Sequence, residues 1–127
     1  RMRGITLVHE MAARGINVSF ASDNTRDPFY AYGDLDVLEV LREATRIGHL
    51  DHSGPDWVQT VLANPARACG FDAPSLTLGE PADLVILRAR DWSELLSRPQ
   101  ADRVVVRGGR AVDTRLPDYA ELDALME

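Results

Sequence analysis

The feature that most constrains the fold is a short alternation that ends just before a carboxylate. Residues 16–20 read INVSF, in which large apolar side chains alternate with Asn17 and Ser19. A period of two is typical of a β-strand, whose side chains point alternately to opposite faces. Counted by twos, Asp23 belongs to the face of small residues and lies at the carboxyl end of the strand.

A strand with one bulky face and one small face fits a closed barrel. In a flat sheet covered by helices on both sides, both faces need bulk. In a (β/α)8 barrel the large residues pack outward on helices, while the small face lines a crowded interior. Asp23 would then point over the barrel mouth, where barrel enzymes place catalytic groups. The local pattern alone favours a plainer alternative, a turn residue whose carboxylate binds its own backbone.

Other periodicities predict helices around this strand. Apolar residues at helical spacing predict a helix from Ile5 to Ala13, and Asp34 is the expected N-cap of a longer helix. One face of the longer helix carries Val37, Val40, Leu41, Ala44 and Ile47. A further helical segment is expected to be interrupted at Asn64-Pro65.

Beyond residue 73 the sequence changes character. The runs SLTLGEPADLVILRA and DRVVVRGGRAVD are rich in Val, Ile and Leu and predict strands, and Gly108-Gly109 breaks the second run in the manner of a hairpin. Three parts are therefore expected: the last strand and helices of a barrel in residues 1–73, part of a small β domain in 74–115, and a helical tail in 116–127.

Charge and cysteine content narrow the class of protein. The 127 residues carry 20 acidic and 14 basic side chains, a net charge of −6, which argues against nucleic-acid and membrane partners. One cysteine, Cys69, excludes a disulfide framework and is expected to be a buried thiol. The sequence shows no apolar run of membrane-spanning length and no signal-peptide pattern, so a cytoplasmic setting is the default expectation.

Three stretches together resemble a known family. VSFASDNTRDPFYAYGDLDVLEVL, ANPARACGF and LGEPADLVIL resemble the carboxyl-terminal part of the amidohydrolase superfamily, and specifically cytosine deaminases and their close relatives. Within them, SDNTRDPFY is similar to the eighth barrel strand and its loop. The resemblance implies an α/β fold, the carboxyl-terminal portion of a metal-dependent (β/α)8 barrel followed by part of a small β-sandwich domain.

The resemblance also implies a reaction and the residues that perform it. A divalent ion, iron or zinc, activates water for attack on a ring carbon that bears an amino group, so that cytosine yields uracil and ammonia. Asp23 matches the aspartate that binds the metal and shuttles the water's proton. Asn24 matches a position near the substrate ring where cytosine deaminases often carry Asp, and Phe29 matches an aromatic wall for the ring. For Phe29, a packing anchor in the loop is an equal alternative.

The remaining machinery of such a site is not found in this sequence. The family's His-x-His pair and its further His and Glu have no match, and His9, His49 and His52 are expected to be surface or helix-end residues. One carboxylate does not retain a catalytic metal, which needs three or more protein ligands. The chain, which opens on Arg1-Met2 and runs directly into a helix, is therefore expected to be part of a longer enzyme and inactive alone.

Two further interpretations remain open. Asn24 in place of Asp also suits an amidohydrolase of another cyclic amidine or amide, such as isocytosine, a triazine or a creatinine-like ring. A non-catalytic α+β interaction module of this length is the alternative from a different class. The leading prediction is a cytoplasmic, metal-dependent cytosine deaminase that acts on a small nucleobase-like substrate and is a homo-oligomer when complete.

Overall fold

The computed structural model describes residues 6–116 and 118–126. Its helices are α1 Val8–Ala13, α2 Val37–Gly48, α3 Ala63–Ala68, α4 Trp92–Ser97 and α5 Asp123–Met126. Its strands are β1 Leu84–Ile86, β2 Val104–Arg107 and β3 Arg110–Ala111, and short 3₁₀ turns lie at Leu50–His52, Trp57–Val61 and Tyr119–Leu122. The described residues form two compact units, which divide between Ser75 and Leu76.

The core of the first unit forms where α1 and α2 cover one face of residues 16–20. Its buried members are Val8, Val18, Ala44, Leu50 and Trp57, with Met11, Ala12 and Phe20 packed against them. Burying a large apolar side chain contributes about 1.5 to 3 kcal/mol, so this cluster holds the unit together. Ile16 is about half exposed, whereas Val18 is buried. The predicted packed face is therefore confirmed at Val18 and Phe20.

Residues 16–20 form no β-ladder with any residue that the structure describes. Their backbone groups find other partners: the Phe20 N–H donates to the Thr60 carbonyl at 3.0 Å, and the Asn64 side-chain amide donates to the Val18 carbonyl at 2.8 Å. A strand requires a neighbouring strand that completes its hydrogen bonds. Residues 16–20 thus alternate in side-chain type like a strand but pair with no other strand among the described residues. The surrounding barrel stays a prediction.

The long helix α2 begins two residues after the predicted cap. Asp36 is its N-cap, and the Asp36 side chain accepts a hydrogen bond from the Leu38 N–H at 3.0 Å. Such a bond satisfies one of the free amides in the first helical turn. Asp34 instead pairs with Arg26, with 2.9 Å between the Asp34 Oδ1 and the Arg26 Nη2. The prediction of Asp34 as the cap was wrong because Arg26 engages that carboxylate.

The other predicted helix limits also shift. Asn64-Pro65 lies inside the first turn of α3, and the chain breaks instead at Leu62, with φ −118° and ψ −93°. Proline is tolerated in a first turn because the amides there have no intrahelical acceptor. Ile5 and Pro117, at the predicted starts of the first helix and the tail helix, lie outside the described residues. Among the described helices, none has the length and apolar character to cross a membrane.

The second unit contains an antiparallel sheet in the order β1-β2-β3. Val85 pairs with Val105, and α4 lies in the connection between these two strands. Gly108 and Gly109 make the turn between β2 and β3, with φ of 54° and 75°. Two positive φ angles are what a type I′ hairpin turn requires, and glycine adopts them without steric cost. The predicted hairpin is confirmed.

Because Leu50 belongs to the buried core, shortening its side chain should cause a large loss of stability. Leu50 is 2% exposed, and we expect Leu50→Ala to lower the free energy of unfolding by about 2 to 4 kcal/mol, since lost burial and the residual cavity add. Leu78→Ala is the matched control, because Leu78 is fully exposed, and should change it by less than about 0.5 kcal/mol. Urea denaturation followed by circular dichroism measures both. Equal midpoints for the two variants would contradict a core at Leu50.

Candidate functional site

Asp23 lies exposed at the start of the loop that leads to α2. Its backbone is left-handed, with φ 59°, a conformation that Asp tolerates better than most residues. In the described part of the chain, its carboxylate takes part in no hydrogen bond or ion pair. The alternative prediction, that the Asp23 carboxylate bonds its own backbone, is therefore wrong for this structure.

Asn24 donates its side-chain amide to Asp27, with 2.7 Å between the Asn24 Nδ2 and the Asp27 Oδ2. The other oxygen of Asp27 accepts the backbone N–H groups of Phe29 and Tyr30, each at 2.9 Å. These bonds lower the pKa of the Asp27 carboxyl, that from Asn24 most strongly and then those from Tyr30 and Phe29. Asp27 is therefore an ionised anchor of the loop at neutral pH.

The anchoring role of Asp27 was missed from the sequence, although a local signal exists. An aspartate tends to bind backbone amides two or three residues further on, and Asp-Pro dipeptides favour turns. Asp27-Pro28 has that form. The resemblance assigns a role to Asp23, whose carboxylate has no hydrogen bond among the described residues, and none to Asp27, whose carboxylate accepts from three donors.

Arg26 fastens the base of the same loop. Its backbone N–H donates to the Tyr32 carbonyl at 3.1 Å, and its Nε donates to the Gly33 carbonyl at 3.0 Å. Its Nη2 donates to Asp34 at 2.9 Å. Gly33 has φ 95°, and a Cβ at this position would come within 3.0 Å of the Thr25 side chain. The loop is therefore closed on itself, and only glycine fits at its narrow base.

Phe29 is held by this closed loop with 79% of its surface exposed. Beside it in the sequence, Tyr30 and Tyr32 make an edge-to-face pair with ring centroids 5.6 Å apart. A packing anchor would require burial, and the residues that the structure describes do not provide it. The exposed ring fits the other predicted role, a flat wall for a heterocycle. No contact here tests that role or the predicted proximity of Asn24 to a substrate.

Among the residues that the structure describes, the predicted metal ligand Asp23 belongs to no group of side chains that could hold a metal ion. Across residues 6–116 and 118–126, no group of three or more His, Cys, Asp or Glu side chains could hold a metal ion. Because a catalytic metal needs at least three protein ligands, the described residues do not fit a metal site by themselves. The assignment of Asp23 as one ligand of iron or zinc stays a prediction.

His9, His49 and Cys69 each lie in or at the end of a helix of the first unit. His9 donates from Nε2 to the Gly48 carbonyl at 2.7 Å, and its ring lies edge-on to Trp57 at 5.2 Å. It is half-buried in the first turn of α1, and this bond joins it to the last residue of α2, which is compatible with the expected surface or helix-end position. His49 ends α2 with φ 51°, as expected of a helix-end residue. Cys69 is exposed, contrary to the expected buried thiol, because it follows the last turn of α3.

Known proteins similar to this chain are deaminases. A pterin deaminase of Rhizobium rhizogenes is 57% identical over 127 residues, which make up 99% of this chain and 29% of that relative. A 5'-deoxyadenosine deaminase of Methanothermobacter thermautotrophicus is 28% identical over 126 residues, 91% of this chain and 28% of the relative. The chain thus spans less than a third of the length of these relatives.

A solved structure and a family model agree with these relatives. The crystal structure of 5-methylcytosine deaminase from Klebsiella pneumoniae, liganded with 5-fluorocytosine, matches with a TM-score of 0.68 and 30% identity. The match covers 91% of this chain and 29% of that one. The model described as "Amidohydrolase family" matches residues 1–113. This chain therefore belongs to the amidohydrolase family.

Proposed function

We propose that this chain is the carboxyl-terminal part of a hydrolytic deaminase, which replaces the amino group of a nitrogen heterocycle by an oxygen from water and releases ammonia. The observation that carries the proposal is the match to a pterin deaminase, at 57% identity along nearly the whole chain. Two other similar proteins are named as deaminases of different rings. The chain spans less than a third of each, so the activity belongs to the complete protein.

Asp23 is the proposed proton carrier of this reaction. An ionised carboxylate can take a proton from the attacking water and deliver it to the leaving amino nitrogen. Asp23 is exposed, without a hydrogen-bond partner among the described residues, and left-handed at φ 59°. The resemblance also predicts that Asp23 is one ligand of an iron or zinc ion, whose other ligands would come from elsewhere in the complete protein.

The proposed substrate class is a pterin, and cytosine is the second candidate. Each combines an exocyclic amino group, a ring carbonyl and a ring N–H, so each presents donors and acceptors on one edge. The pterin deaminase is 57% identical to this chain, against 30% for the 5-methylcytosine deaminase, and we therefore favour the pterin. A pterin also has two fused rings, which give a larger flat face for stacking on an exposed aromatic such as Phe29.

The relative kcat/KM values for pterin and cytosine give the first functional test. We expect kcat/KM of the complete protein for pterin to exceed that for cytosine by at least about tenfold, because specificity is a difference in transition-state binding. Ammonia release measures both rates in one assay. Faster turnover of cytosine would make cytosine the substrate, and no ammonia from either ring would overturn both proposed substrates.

Asp23→Asn tests the proton carrier in the complete protein. Asparagine has the same size and tolerates the left-handed backbone, but it does not carry a proton, so kcat should fall by about 10²- to 10⁴-fold. Asp72→Asn, a second exposed carboxylate in the same unit, is the control and should leave kcat unchanged. Wild-type turnover in Asp23→Asn would rule out this role. Metal analysis of the purified variant reports separately whether Asp23 is also a ligand.

Phe29→Ala tests the aromatic wall. Stacking of a nucleobase on an aromatic ring is worth about 1 to 3 kcal/mol, so KM for pterin should rise by roughly 5- to 150-fold. Phe71 is exposed to a similar extent, 73% against 79%, and Phe71→Ala is the matched control. Steady-state kinetics of the complete protein measures the change. Equal KM values for the two variants would leave Phe29 without a role in binding.

A further inference from the structure

The contact between Asn24 and Asp27 fixes which way the Asn24 amide faces. An ionised carboxylate only accepts hydrogen bonds, so the group that meets it must be the amide NH₂. The Asn24 Nδ2 accordingly lies 2.7 Å from the Asp27 Oδ2. The Asn24 Oδ1 has no hydrogen bond among the described residues. Asn24 therefore keeps its acceptor oxygen for a ligand, on the side away from Asp27, together with the second N–H of the held amide.

Asp27 is itself held in place from the other side. Its Oδ1 accepts the N–H groups of Phe29 and Tyr30, and its own N–H donates to the Tyr30 carbonyl at 3.1 Å. Arg26 closes the base of the loop through Gly33 and Asp34. The carboxylate is thus a fixed acceptor rather than a mobile side chain.

We propose that Asp27 is a positioning residue of the deaminase, which holds the Asn24 amide so that its oxygen is offered to an N–H of the substrate ring. The proposal rests on the proposed function, since it concerns the same site. Asp27 acts through Asn24 and need not touch the substrate. With the amide held in this way, the bound ring would meet the neutral acceptor oxygen of Asn24. Without Asp27, the amide would rotate freely and offer its oxygen and its NH₂ group equally.

Asp27→Asn separates this role from a merely structural one. The asparagine oxygen still accepts the Phe29 and Tyr30 amides, so the loop keeps its turn. Its new NH₂ group faces Asn24, however, and the Asn24 amide must turn over to present its oxygen to it. The substrate then meets an NH₂ donor, and we expect KM for pterin to rise about tenfold, the size of one lost hydrogen bond, while kcat changes less than about threefold.

The reversed pair tests whether the effect is one of orientation. In Asn24→Asp/Asp27→Asn, the amide at position 27 donates to a carboxylate at position 24, whose second oxygen again faces the substrate. We expect KM of this double variant to return to within about threefold of wild type. Asp56→Asn is the matched control, because the Asp56 carboxylate accepts from the Gln59 amide at 2.9 Å outside the loop, and its KM should equal that of the wild type.

The experiment measures steady-state kinetics of the complete protein on pterin, together with hydrogen exchange of the loop amides. Unchanged exchange at Phe29 and Tyr30 with a raised KM in Asp27→Asn, and recovery in the double variant, is the expected result. A wild-type KM in Asp27→Asn, or a double variant as impaired as the single one, would overturn the inference while leaving the deaminase standing. A wild-type protein that releases no ammonia would overturn the proposed function and this inference together.

Discussion

The burial of Val18 against the helices fixes which side of residues 16–20 stays open. Val18 is 7% exposed, and Phe20 packs against the same cluster. Because successive side chains of an extended chain alternate, this contact turns Ser19 the other way, where it is exposed. Asp23 follows this segment and is likewise exposed, at the start of the loop that leads to α2.

The elements that were predicted correctly are those that depend only on residues close together in the chain. Gly108-Gly109 makes its turn because positive φ angles are needed there, and the residues that supply them are adjacent. The cap of α2 could not be chosen in this way. Asp34 and Asp36 are both good caps by residue type, and the choice depends on Arg26, eight residues before Asp34, which binds that carboxylate. The same limit applies to residues 16–20, since the alternation predicts a strand without specifying a partner strand.

The predicted roles at the candidate site rest on residue type and family pattern, and no contact of the described residues tests those roles. Asp23 and Phe29 are exposed, as a proton carrier and a ring wall would need to be. The orientation of Asn24 was not predictable, because an amide offers both a donor and an acceptor. Its orientation follows from the Asp27 carboxylate, whose charged form is favoured first by the bond from Asn24 itself and then by two backbone amides that only the folded loop brings together.

Two carboxylates four residues apart have different surroundings, and the proposed reaction gives them different tasks. Asp27 has three hydrogen-bond donors, which favour its charged form and lower its pKa; to protonate it would weaken the turn that depends on it. Asp23 has none among the described residues, so no contact of the loop depends on that carboxylate. A catalytic proton has to be taken up and released in every cycle. The free carboxylate suits that task because the bound one keeps the loop in shape while the proton moves.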